Sequence, residues 1–315
     1  PEVLEPLLNE MKGIGLRAER QLSTLAIVVY VLIVLGLAPT LTVTWAQEPV
    51  FDYLGQAVDK LTVHPSASNL NDYDCFSNGS CIFGVSLEMG EYHEITAYFD
   101  EGANYLVFGA GDDRILELDL KLISSTGLLQ LQDGSNDAFP ALQFSPGTSG
   151  EMRLRITNIE SLGAGFSVML ILEENDAASF SLNQLREAFD NVAGTSTAGS
   201  LIASRFARET FCLFGGRLRE GQSNYLYNTK PGAGNFALVG AGSNNVTDVD
   251  LFVYRQRGID STSGRLIARD AESNNHPSSL FTVEPGYYYL VRHKNHTSRD
   301  DEPGFVFSVL LQNSP

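Results

Sequence analysis

Basic side chains are in short supply: 21 lysines and arginines stand against 38 aspartates and glutamates in 315 residues, a formal net charge of −17. Binding to a phosphate backbone needs a basic surface, so nucleic acid is excluded as a partner. The acidity reads as solubility in an exported compartment, with docking on a basic protein patch as the sharper alternative. Cysteine is scarce too, at three residues, and no C-x-x-C occurs, which removes zinc-ribbon and thioredoxin-type chemistry. H-E-x-x-H, G-x-S-x-G and the Walker loop are missing, so three common hydrolytic chemistries have no residues to work with. Of the five histidines, His293 and His296 alone are close, in H-K-N-H, and without an acidic or cysteine ligand nearby they read as part of a solvated polar turn and not as a zinc site. No nucleophile can be paired with a base. The expectation is a protein that is not an enzyme and holds no cofactor.

Long apolar runs are also missing, with one exception. Leu22 to Trp45 is 24 residues without a charge, and as a helix at ~1.5 Å per residue it covers about 36 Å, enough to cross a hydrocarbon core of ~30 Å. Its apolar core exceeds that of a secretory signal, so it reads as a retained signal anchor; the alternative is cleavage after Thr44-Trp45-Ala46. Pro39 ends or kinks the helix near its outer end, and Trp45 sits where an interfacial aromatic belongs. Lys12, Arg17 and Arg20 precede the span and no basic residue follows it before Lys60, so the N-terminus stays cytoplasmic and the body is exported. Ser23, Ala26, Gly36 and Ala38 give the span small faces on which a neighbouring helix can pack. Residues 1–21 carry Leu4, Leu7, Leu8 and Met11 at helical spacing. They form an amphipathic cytoplasmic helix, docked on a partner or the lipid interface, or simply extending the span.

The body is duplicated. C-I-F-G-V-S-L-E-M-G from Cys81 matches C-L-F-G-G-R-L-R-E-G from Cys212, Gly109–Gly111 matches Gly240–Gly242, and Glu117–Leu120 matches Asp248–Leu251, all at an offset of 131 residues. The same offset lays Leu54, Ala57 and Val58 over Leu185, Ala188 and Phe189, so each copy begins with a short amphipathic helix. Later, Asp133, Pro140, Phe144 and Phe166 correspond to Asp270, Pro277, Phe281 and Phe305. Leu116 to Leu122 alternates leucine with charge, and Val249, Leu251 and Val253 repeat the alternation. Period-two runs between Gly, Asn, Asp and Pro turns predict antiparallel sandwiches. In Tyr287-Tyr288-Tyr289 the middle ring is expected on one sheet face and the outer two on the other, a carbohydrate-binding aromatic platform being the alternative.

Cys75 and Cys81 bracket F-S-N-G-S, a loop short enough for a disulfide after export. Cys212 lacks such a neighbour and reads as a buried thiol, a bond to either of the others being the alternative. Sequons stand at Asn78, Asn245 and Asn295.

The motif order in the second copy, with Asp250-Leu251, Asp270, Asn275, Pro277, Phe281, Pro285-Gly286, Tyr288 and Leu290, resembles the bacterial pre-peptidase C-terminal domain. The first copy follows through the repeat, with G-E-M-R-L-R-I-T in place of the G-x-Y-Y strand. The resemblance implies small exported jelly-roll-like sandwiches used for binding or spacing, some of which hold Ca²⁺. Asp112 and Asp113, with Asp248 and Asp250 in the second copy, are the candidate ligands, against the plainer reading of a polar strand face.

The chain is therefore expected to be mainly β: one N-terminal transmembrane helix followed by two tandem jelly-roll-like antiparallel β-sandwiches, each preceded by a short helix. The expected divisions are 1–21, 22–45, 46–172 and 173–315, on the bacterial inner membrane with both sandwiches periplasmic. The functional expectation is a non-catalytic accessory subunit in the lipid bilayer, bracing the periplasmic face of a larger integral membrane complex, respiratory or photosynthetic. The alternative is a membrane-anchored surface module binding glycan, peptide or Ca²⁺. Binding by the isolated body discriminates between them.

Overall fold

Alternating and continuous apolar runs end in different sheets. The computed structural model describes residues 50–77, 79–175, 180–194, 204–208, 210–258, 264–299 and 302–313. The first repeat supplies β1 (Tyr73–Cys75), β2 (Ile82–Leu87), β3 (Tyr92–Phe99), β4 (Tyr105–Gly111), β5 (Ile115–Ser124), β6 (Leu129–Gln132), β7 (Ala141–Phe144), β8 (Gly150–Ser161) and β9 (Gly165–Glu174). The second supplies β10 (Ser204–Phe206), β11 (Leu213–Leu218), β12 (Ser223–Thr229), β13 (Gly234–Gly242), β14 (Val246–Gln256), β15 (Arg265–Asp270), β16 (Ser278–Val283), β17 (Tyr288–Ser298) and β18 (Gly304–Asn313) in the same order. Y-L-V-F-G-A-G of β4 is buried throughout, as a strand covered on both faces must be. In β5, Leu118, Leu120 and Leu122 turn inward while Lys121 stays at the surface.

In each repeat the chain steps between two layers in jelly-roll order. β2, β9, β4 and β7 form one layer and β3-β8-β5-β6 the other; β11, β18, β13 and β16 repeat the first and β12-β17-β14-β15 the second. Leu118, Leu120, Leu154 and Ile156 from the smaller sheet share a core with Val107, Phe166, Val168 and Leu170 from the larger.

The two larger layers are one sheet, running β16-β13-β18-β11-β2-β9-β4-β7. At the seam β2 pairs antiparallel with its own repeat mate β11, with Phe83 opposite Phe214. Those two residues correspond in the repeat, so a pseudo-two-fold axis passes between them. Cys81 N–H donates to the Gly215 carbonyl and Cys212 N–H to the Gly84 carbonyl, both at 2.8 Å. Glycine is needed here: a Cβ on Gly215 would lie 2.5 Å from Phe307 Cβ and 2.6 Å from the Val306 carbonyl oxygen.

Helices α1 (Val50–Thr62) and α2 (Leu182–Ala193) cover the large sheet, α1 on β4 and β9 and α2 on β13 and β18. Leu54, Ala57 and Val58, and their mates Leu185, Ala188 and Phe189, are the buried stripe, as the repeat predicts. The helices also meet: Phe189 packs against Gly55, and Arg186 pairs with Asp59.

One detail departs from the sequence-based expectation. Leu116 is 44% exposed, because a bulge in β5 between Ile115 and Leu118 shifts the alternation and Ile115 takes the inward place. As the sequence predicts, G-E-M-R-L-R-I-T stands in the place of the Tyr-rich strand, since β8 and β17 occupy the same place in their sheets. The amides of Asn158 and Asn295 each donate to a carbonyl of the corresponding seam strand, Leu87 of β2 at 3.0 Å and Leu218 of β11 at 2.9 Å.

Candidate functional site

The acidic residues expected to hold Ca²⁺ fall into two separate places with different work to do. Asp112 is fully buried after β4, where it accepts from Phe166 N–H at 2.8 Å and Arg114 N–H at 2.9 Å and pairs with the Arg114 guanidinium. Its mate Ser243 does the same for Phe305 N–H at 2.9 Å, so this position latches a loop. Asp113 is 69% exposed and pairs with Lys60 of α1 at 2.9 Å. Asp248 and Asp250 lie side by side on the outer face of β14. Burial first, then repulsion from Asp250, holds the Asp248 carboxyl above the usual carboxylate range. Asp250 lies 3.4 Å from His296 Nδ1. Among the described residues no three His, Cys, Asp or Glu side chains converge as a metal site.

The H-K-N-H pair is split by the sheet. His293 is completely buried, stacked flat on Phe214 at 4.6 Å with Nδ1 3.0 Å from Ser308 Oγ, and burial lowers its pKa to about 3. His296 is exposed. Of the tyrosine run, Tyr289 is buried with its hydroxyl accepting from Glu284 N–H at 2.7 Å, Tyr287 packs at the core margin, and Tyr288 lies beneath Lys230.

All three cysteines are free thiols. Burial, with the Cys75 side chain hydrogen-bonded beside it, pushes the Cys81 thiol well up, so the expected disulfide partners are neighbours. Cys212 is buried and donates to the Gly84 carbonyl at 3.5 Å. The Asn295 side chain is buried, and the Asn245 amide is engaged with Pro303. Asn78, together with residues 22–45 and their packing residues Ser23, Ala26, Gly36, Ala38 and Trp45, lies outside the described residues. No described helix is long and apolar enough to cross a membrane.

A surface of different character, not anticipated from the sequence, lies on the outer face of the second repeat. Pairing aligns Tyr225 of β12, Arg292 of β17, Phe252 of β14 and Arg269 of β15 in one row across the sheet. Tyr225 stacks on Tyr227 at 5.3 Å and Phe252 on Tyr254 at 6.4 Å, each pair within 23° of parallel. The Arg292 guanidinium sits 3.9 Å over Phe252 and 5.9 Å from the Tyr254 ring centre, cation–π contacts with the β14 pair. Tyr227 is 61% exposed, and Lys294 and Asp250 lie opposite one another at the polar end of the strip. The first repeat has Glu94, Arg155 and Lys121 in the equivalent row, with Glu94 bound to Arg155 at 2.7 Å. The aromatic platform therefore belongs to one repeat. Its sequence signal is Y-L-Y and F-V-Y, aromatics at period two around Leu226 and Val253, which turn inward.

No family model matches the chain, and no curated protein is significantly similar to it. Among solved structures, it is similar to the tandem CBM22-1–CBM22-2 domain of Xyn10C from Paenibacillus barcinonensis, at 10% identity over 73% of this chain and 93% of that one, with a TM-score of 0.21. It is similar to the M60 catalytic domain with CBM51-1 and CBM51-2 of ZmpB from Clostridium perfringens, at 8% identity and a TM-score of 0.23, covering 76% of this chain but 37% of that one. A third is the PBSX exported protein XepA, at 12% identity over 73% of this chain and 86% of that one, with a TM-score of 0.25. Likeness at this level carries nothing about ligands. The β-sandwich assignment rests on the strand order itself.

Proposed function

We propose that this chain is a non-catalytic surface-binding module that takes a glycan on the outer face of its second repeat. The observation that carries the reading is the strip of two stacked pairs, Tyr225 on Tyr227 and Phe252 on Tyr254, set on either side of Arg292 on the outer sheet face. Flat aromatic faces stack on the C–H faces of a pyranose, and Arg269, Lys294 and Asp250 around them supply donors and acceptors for hydroxyls. The resemblance to the pre-peptidase C-terminal domain, a binding or spacing module, supports it. The apolar segment 22–45 would hold the module on the outer side of a bacterial inner membrane. The small residues Ser23, Ala26, Gly36 and Ala38 on that segment favour a second reading, a subunit of a larger integral membrane complex, for which co-purification of a stoichiometric partner is the test.

Glycan arrays followed by calorimetry test the first reading. Phe252→Ala and Tyr227→Ala are each expected to weaken the bound glycan by about tenfold or more, since stacked rings contribute on the order of 1 kcal/mol beyond their buried area. A chain that binds no glycan at millimolar concentration rules it out.

A further inference from the structure

At the seam one layer is closed and the other is open. β2 and β11 join the large sheet, but the smaller sheets end at β3 and β12, and among the described residues no ladder links these two strands. They are repeat mates, so the pseudo-two-fold axis sets them antiparallel on either side of a trench of about 470 Å³, floored by Phe83, Phe211 and His93. The Phe211 ring meets His93 at 4.6 Å and Phe83 at 5.4 Å, both edge-on.

The walls of this trench carry backbone groups that no ladder uses. The ladder from β3 to β8 opens with Asn158 N–H donating to the Glu91 carbonyl, and that from β12 to β17 with Asn295 N–H donating to the Gln222 carbonyl, both at 3.0 Å. Antiparallel bonding uses alternate residues for alternate edges. Glu94 and Thr96 on β3, and Ser223 and Tyr225 on β12 before its bulge after Leu226, therefore turn their N–H and C=O groups into the trench. Open edges are usually blunted by charged side chains, proline or brevity. The outer edge strands show this, β15 reading R-L-I-A-R-D and β6 having four residues. At the seam, β12 reads S-N-Y-L-Y-N-T, without charge or proline, and β3 reads Y-H-E-I-T-A-Y-F, whose one charged side chain, Glu94, is bound to Arg153 and Arg155 of β8.

We propose that the trench accepts an extended polypeptide segment of a partner protein as an added β-strand, hydrogen-bonded along β12 with β3 as the opposite wall. Backbone pairing holds such a segment whatever its sequence, and its side chains alternate between floor and solvent. The floor of Phe83 and Phe211 selects apolar side chains at every second position. Charge selects the flank beside His93: in a chain of net charge −17, the recess there is lined by Glu91 and by Glu88, which Arg208 pairs with at 3.5 Å. Lysine or arginine at the end of the segment that lies beside His93 fits that field. This site differs from the glycan face in ligand class, so either can fail while the other stands.

The test uses the full chain in mild detergent and a panel of labelled seven-residue peptides with lysine at both ends and threonine alternating with valine, leucine, phenylalanine or tyrosine between. Anisotropy is expected to show binding by members of this panel and slowed hydrogen exchange at the Tyr225 amide. N-methylation of alternate backbone amides in a bound peptide is expected to weaken it by about tenfold or more, because two or more hydrogen bonds are lost. Absence of binding across the panel, equal binding by the methylated peptide, or protection of the Tyr225 amide by cellohexaose and not by peptide would each overturn the proposal.

Discussion

Acid should weaken the second repeat through one residue, His293. Its ring is completely buried, stacked on Phe214 and bonded through Nδ1 to Ser308, and burial lowers its pKa to about 3. In the unfolded chain a histidine titrates near 6.5. Above that pH neither state is protonated at this site, and the folded state keeps its full stability. As pH falls below 6.5 the unfolded state gains a proton that the folded state refuses, so stability drops by ~1.4 kcal/mol per pH unit until the folded pKa is reached. The loss amounts to about 2.7 kcal/mol at pH 4.5 and about 4.4 kcal/mol at pH 3. The first repeat supplies the control, because Ile156 and Met169 occupy the places of His293 and Ser308. The double variant His293→Ile/Ser308→Met transplants that apolar pair. Urea unfolding followed by far-ultraviolet circular dichroism at pH 7 and 4.5 gives the stability difference between variant and wild type. That difference should shift in favour of the variant by about 2.7 kcal/mol. His64 and His93, also lowered by burial, are common to both proteins and cancel. A difference that stays constant within about 0.5 kcal/mol refutes the linkage.

Asp248→Asn should raise the thermal midpoint at pH 7. Its carboxyl is held above the usual range, so its contribution to stability is present below the unfolded pKa and is lost as pH rises through the folded one; the gain should therefore shrink toward pH 3, and a lowered midpoint at pH 7 contradicts it. Gly215→Ala forces a Cβ into β18 backbone at the seam and should cost about 2–3 kcal/mol in chemical denaturation, whereas a neutral result would show that the strands can part. Under oxidising conditions, non-reducing peptide mapping should find Cys75 joined to Cys81, with Cys212 alkylated after unfolding alone; a cross-link through Cys212 would contradict the burial of its thiol.

The aromatic strip was poorly legible for a physical reason. Tyr225, Arg292, Phe252 and Arg269 come from four strands whose nearness is set by ladder register, a property of pairing between distant segments. Acidic pairs near turns are the more conspicuous feature of the sequence. In the fold, Asp112 is consumed by backbone donors and Asp248 faces Asp250 with burial against it.

By itself the sequence determined the duplication, the two amphipathic helices and the sandwich class, because period-two and period-3.6 burial are local patterns written residue by residue. Tertiary structure alone decided that β2 would pair with its own mate, that two sandwiches would share one sheet, and that β3 and β12 would face each other unpaired. Strand order and edge exposure depend on which far-apart segments meet. A backbone edge offers the same donors and acceptors whatever side chains it carries, so no residue pattern announces its partner.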